Sequence, residues 1–503
     1  MVHTEVTIAD GVVRGLRGRR VVRWRSVPYA EPPVGELRFR APQPLRPWTG
    51  VREATEFGLA APQPRSGARV GLASWQRTGE DCLTLNVTVP DAPAAGPRPV
   101  LVFIHGGSYV IGTSAAYSGG RLAVRGDAVV VAINYRLGAL GYVDFSEFST
   151  AERQFDSNLG LRDQVAALRW VQRNIAAFGG DPGNVTVFGE SAGAQAVVSL
   201  LATPAAGGLF HRAIAQSAPA DWILRPDEAR RFARRCLAAA GVRPDAAARY
   251  LTTATAADLR AAVQQTVNRA ARAEPGAYPL APVADGDFLP EPPLDAITGG
   301  RAHPVPLIMG TNRDEATLFR PESGLPITAD QLSSVFARSE PGAEQRVTSR
   351  YPGYPHPRAT RRIGGDFTFW RPTLAALEGH SRYAPTYAYR YDFAPRALHL
   401  AGYGATHALD LIPVFGWVDR PVGRILTVAG GSKGFRSVQD QFQDNWLAFA
   451  RTGRPLPDWP PYTEQQRNTR IIDEQPRVEV DPDRAEREAW AGVRLRARVL
   501  DQR

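Results

Sequence analysis

The chain has 503 residues, which suits one large α/β domain with insertions, and a core of that size needs no disulfide to fold. Its two cysteines, Cys82 and Cys236, lie far apart, which argues against a disulfide framework. The net charge is +10, but the arginines are scattered rather than gathered into a tract with aromatics, so no nucleic-acid partner is expected.

In chain order, the first ten residues lack the basic and apolar regions of a secretion signal, and a cytoplasmic protein is expected. The apolar runs are strand-length and too short to cross a bilayer, so no membrane partner is expected. A single lysine, Lys433, among so many arginines, together with abundant alanine, proline and glycine, points to a GC-rich bacterial source. Pro28–Trp48 reads as an ordered, proline-rich meander punctuated by aromatics and leucines.

Val100–Ile104 (V-L-V-F-I) is a predicted strand ending in a glycine-rich loop, and Asp127–Asn134 a second strand. Leu159–Phe178 has helical periodicity and closes at Gly179-Gly180. Asn184–Phe188 is a third strand, which runs into Gly189-Glu190-Ser191-Ala192-Gly193. Continuous β-branched runs between helices predict a mostly parallel central sheet with helices on both faces. Residues 221–300 and 325–380 are helical in texture, with Pro306–Thr311 a strand between them. Thr386–Asp392 and Thr469–Asp473 are late strands, and Val438–Arg451 a late helix. The helical blocks predict cap-like insertions, about 221–300 and 325–400, within a single domain spanning 1–503.

The chemistry starts at Ser191. The pattern G-x-S-x-G between a strand and a helix of small residues is the nucleophile-elbow pattern. A tight turn lifts the hydroxyl clear of the backbone, and Gly189 and Gly193 let strand and helix approach. Ala192, at the helix start, offers a backbone N–H to a developing oxyanion. The loop Ile104–Tyr109 (I-H-G-G-S-Y) follows a strand and precedes the serine, as an oxyanion loop does. A serine needs a base, and the base a group to orient it. Of eight histidines, His356, His380, His399 and His407 fall late enough, and His407 is favoured over His399 because Ala408–Phe415 can anchor its loop on the core. The acid should end a strand. Glu315 and Asp314 follow Pro306–Thr311, and Asp285 is a rival; the residue pattern leaves these open.

Taken together, these motifs closely resemble those of the type-B carboxylesterases, the α/β-hydrolase family that includes bacterial para-nitrobenzyl esterases and the cholinesterases. The likeness runs nearly end to end. It covers Ser26–Phe39, Glu80–Asn86, Asn134–Gly141, Asn158–Gln164, Phe178–Ala194, Ala213–Ser217, Gly310–Glu315, His407–Leu411 and Phe449–Gly453. The resemblance implies an α/β-hydrolase fold and ester hydrolysis through an acyl-enzyme on small to medium organic esters, with water as co-substrate and no cofactor or metal. It implies Ser191 as nucleophile, His407 as general base and Glu315 as the orienting acid. Gly107, Ser108 and Ala192 would form the oxyanion hole, and Arg38 with Glu80 and Arg136 with Asp163 would brace the core. Cys82 matches a cysteine that is disulfide-bonded in secreted members, but its partner is missing. The loop has Ser108 where the family often carries glycine or alanine, and Ala316 stands where glycine is usual. A monomer is expected. Amide or carbamate cleavage and acyl transfer would use the same residues, and a non-catalytic binding protein of this fold would lack the serine found here.

Overall fold

The structure, a computed structural model, describes residues 2–64 and 75–493. Among them, thirteen strands form one sheet. It begins antiparallel. Strands β1 (Val2–Ile8) and β2 (Gly11–Arg17) make a hairpin about Ala9-Asp10, and β3 (Val21–Pro28) continues it. The short β4 (Val51–Glu53) lies beside β2, while β5 (Thr84–Pro90) joins β3 to the rest of the sheet.

The centre is parallel, as the β-branched runs predict. Strands β6 (Arg98–Ile104), β7 (Val129–Ile133), β8 (Gly180–Glu190), β9 (Arg212–Gln216), β10 (Leu307–Asn312), β11 (Thr386–Tyr391) and β12 (Asn468–Ile472) lie in the order β7-β6-β8-β9-β10-β11-β12. Neighbours in this run are all parallel, and the antiparallel β13 (Arg477–Val480) closes the far edge.

Side chains alternate across a strand, and β6 shows the result. Val100, Val102 and Ile104 pack with Trp170 and Val197 on one face, from the helices Leu159–Asn174 and Ala192–Leu201. Leu101 and Phe103 pack with Leu122, Phe442 and Trp446 on the other, from Gly120–Gly126 and Ser432–Thr452. Both faces of the sheet are therefore covered, which is why these strands read as unbroken apolar runs.

The helical blocks fall after β9 and β10. The first contains Pro226–Ala239 and Ala256–Ala273; the second contains Ala329–Phe336, Pro357–Gly365 and Arg371–Ser381. The last two helices are joined by one π-helical turn, Asp366–Trp370. Buried ion pairs tie loops to this frame. Arg38 reaches Glu80 at 2.8 Å and also donates to the carbonyls of Leu251 and Ala254 in the first block. Asp163 accepts from the Arg136 backbone and twice from its guanidinium, the shortest at 2.6 Å. Among the described residues, no helix is long and apolar enough to cross a membrane.

Candidate active site

In a parallel sheet, loops at the carboxyl ends of the strands gather at one edge. Four loops meet there. The glycine-rich loop follows β6, Ser191 follows β8, Glu315 follows β10 and the His407 loop follows β11.

Ser191 occupies the strained turn that the motif predicts. Its φ and ψ are 58° and −125°, its N–H donates to the Gln216 carbonyl at 2.9 Å, and it caps the helix Ala192–Leu201. The glycines permit a very close approach. A Cβ on Gly189 would stand 2.5 Å from the Gly193 carbonyl, and one on Gly193 would stand 2.1 Å from the Ile104 carbonyl. Gly106 packs directly on Ser191 and Glu190, so the loop after β6 lies against the serine. Within that loop Gly107, Ser108 and Tyr109 all have positive φ. The Ser108 carbonyl accepts from the Tyr278 hydroxyl at 2.9 Å, a contact from the first helical block. Tyr278 in turn stacks on Trp222 at 4.8 Å.

His407 is buried, and its Nδ1 lies 2.6 Å from Glu315 Oε2. The other oxygen of Glu315 accepts from the Asn312 N–H at 2.8 Å, while the Asn312 amide donates to the Thr406 carbonyl. The acid and the histidine loop are thus fixed from the same strand end. The rival acids are engaged elsewhere. Asp314 accepts from the Ala405 N–H at 3.0 Å and so pins the histidine loop. Asp285 binds Ser157 and Asn158, remote from the histidine in the bonding network. His399 is exposed, and His380 is buried against Thr386.

On its other side His407 faces Glu190. Nε2 lies 3.1 Å from Glu190 Oε1, an ionic contact without hydrogen-bond geometry, and Nε2 makes no hydrogen bond to Ser191. Burial pushes Glu190 up to about 8. On His407 burial acts against the charge but is outweighed by Glu190 and then Glu315, which raise the imidazole to about 9. Carboxylate and imidazolium each favour the other, so the pair titrates as a unit. A third buried acid, Asp410, accepts from Gln216 at 2.7 Å and is raised by burial to about 6. Phe369, from the π-turn, and Phe319 flank the imidazole at 4.6 and 5.2 Å and narrow its access to water.

Neither Glu190 nor Asp410 has a role in the motifs read from the sequence. Both were visible as acids set in apolar stretches, V-F-G-E and H-A-L-D-L-I-P-V-F, where a charge is costly unless it is used.

Residues 2–490, which carry this strand-borne serine, the loop packed against it and the histidine held by a carboxylate, match the carboxylesterase family. The chain belongs to the carboxylesterase family. It is a carboxylic-ester hydrolase of the α/β-hydrolase fold. It is 38% identical to the para-nitrobenzyl esterase of Bacillus subtilis (strain 168), covering 97% of this chain and 98% of that one. It is 34% identical to the phenmedipham hydrolase of Pseudarthrobacter oxydans, covering 87% and 89%. Among solved structures, a thermophilic para-nitrobenzyl esterase superposes with a TM-score of 0.86 at 36% identity, covering 97% and 100%. A carboxylesterase of Geobacillus stearothermophilus gives 0.84 at 35%, with the same coverage. Among the described residues of this carboxylesterase, Cys82 and Cys236 are both buried and unpaired.

Proposed function

We propose that this carboxylesterase cleaves small to medium organic esters with Ser191 as nucleophile, His407 as general base and acid, and Glu315 as the acid that orients it. The observation that carries the reading is the 2.6 Å Glu315–His407 contact on a loop that brings Nε2 to the elbow residue Glu190, next to Ser191. Ser191 attacks the ester carbonyl as Nε2 takes its proton. The tetrahedral oxyanion is held by the N–H groups of Gly107, Ser108 and Ala192. His407 returns the proton to the leaving alcohol, and water activated by the same nitrogen releases the acid. Rotation of the imidazole from Glu190 toward Ser191 is the small adjustment the first step requires, since catalytic hydrogen bonds often tighten only with substrate bound. The chemistry asks for no cofactor or metal.

Residues 221–300 and 325–400 form the cap of a single domain in this reading, supported by Tyr278 and Phe369, which reach the glycine-rich loop after β6 and the histidine from those blocks. The arginine-rich, lysine-poor composition and the two unpaired thiols support a cytoplasmic, bacterial enzyme, the scatter of its arginines along the chain supports the reading that nucleic acid is not a partner, and we take the enzyme to act as a monomer away from membranes. A serine-directed phosphonate tests the core of the reading: it should label Ser191 alone and abolish para-nitrophenyl ester turnover in proportion. Labelling elsewhere with full inactivation would overturn it.

A further inference from the structure

A second concave site lies away from the catalytic edge, where the helix Gly120–Gly126 and strand β3 meet the segment after the histidine loop, Phe415–Val422. It is a cleft of about 1110 Å³. Five arginines line it, Arg20, Arg23, Arg121, Arg125 and Arg420, and no acid does. Two of the five are neutralised from outside the lining. Arg125 pairs with Asp440 and Asp444 at 2.6 and 2.7 Å, and Arg121 is 3.4 Å from Asp419.

The other three guanidinium groups have no carboxylate or hydrogen-bond partner among the described residues. Arg23 is the telling one. It is half-buried, where an unpaired cation is costly. Its guanidinium lies across Gly120, with Nη2 2.8 Å from where a Cβ would stand. Burial, and then the cations Arg25 and Arg420, lower its pKa. The fully buried arginines Arg38, Arg136 and Arg390 each pair with an acid. Like charges held together in a concave, partly desolvated site favour an anion, and guanidinium suits phosphate in particular.

We propose that this cleft is a binding site for a phosphate-bearing anion of two or more negative charges, gripped by Arg20, Arg23 and Arg420. The cleft has room for more than a single orthophosphate, whose several charges would offset three unpaired cations. The phosphate could be free in solution or carried on a lipid headgroup, and the test separates the two.

The probes are inorganic pyrophosphate, followed by titration calorimetry, and phosphatidylglycerol vesicles, followed by co-sedimentation, both at matched ionic strength. The proposal expects saturable binding of at least one probe; pyrophosphate alone identifies a soluble ligand, vesicles alone a headgroup. Arg23→Gln and Arg420→Gln should each weaken that binding about tenfold or more, the loss expected for one charged hydrogen-bonding partner. Arg420 is exposed, so Arg420→Gln folds even if Arg23→Gln does not. The charge-matched control Arg249→Gln, on the exposed surface, should bind as wild type does, and ester hydrolysis without the anion should be unchanged throughout. Absence of binding by both probes, binding that survives Arg420→Gln, or equal loss in the control would overturn the proposal.

Discussion

Glu190 Oε1 stands 3.1 Å from His407 Nε2, on the nitrogen that faces away from Glu315. The imidazole is therefore clasped between two carboxylates, and the one beside the serine competes with it for the base. An anion next to Nε2 holds the proton on, so the neutral imidazole that catalysis needs is scarcer at low pH. Glu190→Gln removes that anion, lowers the His407 pKa and should move the acid limb of kcat/KM to lower pH by about 1 unit or more. A pH–rate profile of the purified variant checks this; an unmoved limb would show that Glu190 is protonated throughout the working range.

Ser191→Ala should lower turnover by roughly 10³ or more with melting temperature preserved, because binding and the oxyanion donors alone remain. His407→Ala should be comparably inactive, and His399→Ala close to wild type, since His399 is exposed and remote from the acid. Steady-state assays with a para-nitrophenyl ester read all three, and an active His407→Ala would sink the base assignment.

Glu315→Gln keeps the shape of the side chain while removing the charge that stabilises the imidazolium. Its turnover should fall by up to roughly 10⁴ with folding intact. Asp285→Asn should instead leave kcat near wild type, because Asp285 serves Ser157, Asn158 and the N–H groups of Asp287 and Leu289. Side-by-side assay of the two variants decides between the acids.

Asp163→Ala leaves the Arg136 guanidinium buried without its carboxylate. Breaking a buried pair in this way costs about 3–5 kcal/mol. Urea unfolding should show that loss, and a change under about 1 kcal/mol would mean that water or a shifted Arg136 replaces the pair.

Much of this was legible because it is written locally. Buried parallel strands need apolar side chains on both faces, so Val100–Ile104 and Val129–Ile133 stood out as runs. The elbow is one continuous stretch with its own glycine spacing. The hairpin of β1 and β2 was not foreseen, since an edge pair with one wet face mixes His3, Thr4 and Glu5 among its valines and carries little run of its own. The acid was ambiguous for a different reason. Asp314 and Glu315 are adjacent, and only the three-dimensional path of the chain turns one toward His407 and the other toward the Ala405 backbone. Glu190 lay in plain view within the motif, but its effect depends on a histidine more than 200 residues later.

That separation bears on how the chain becomes an enzyme. The elbow can form as soon as β8 and its helix pack, from residues already synthesised by the time Leu201 emerges. The proposed acid and base follow β10 and β11, strands which must add to the growing sheet edge across two long helical excursions. Such distant pairings are among the slow events of folding. A nascent or partly assembled chain therefore carries its serine without the means to activate it, and hydrolysis begins only when the last third of the polypeptide has docked. Recovery of esterase activity after dilution from denaturant should consequently lag the return of helical signal, which makes turnover itself a clock for the final step of assembly.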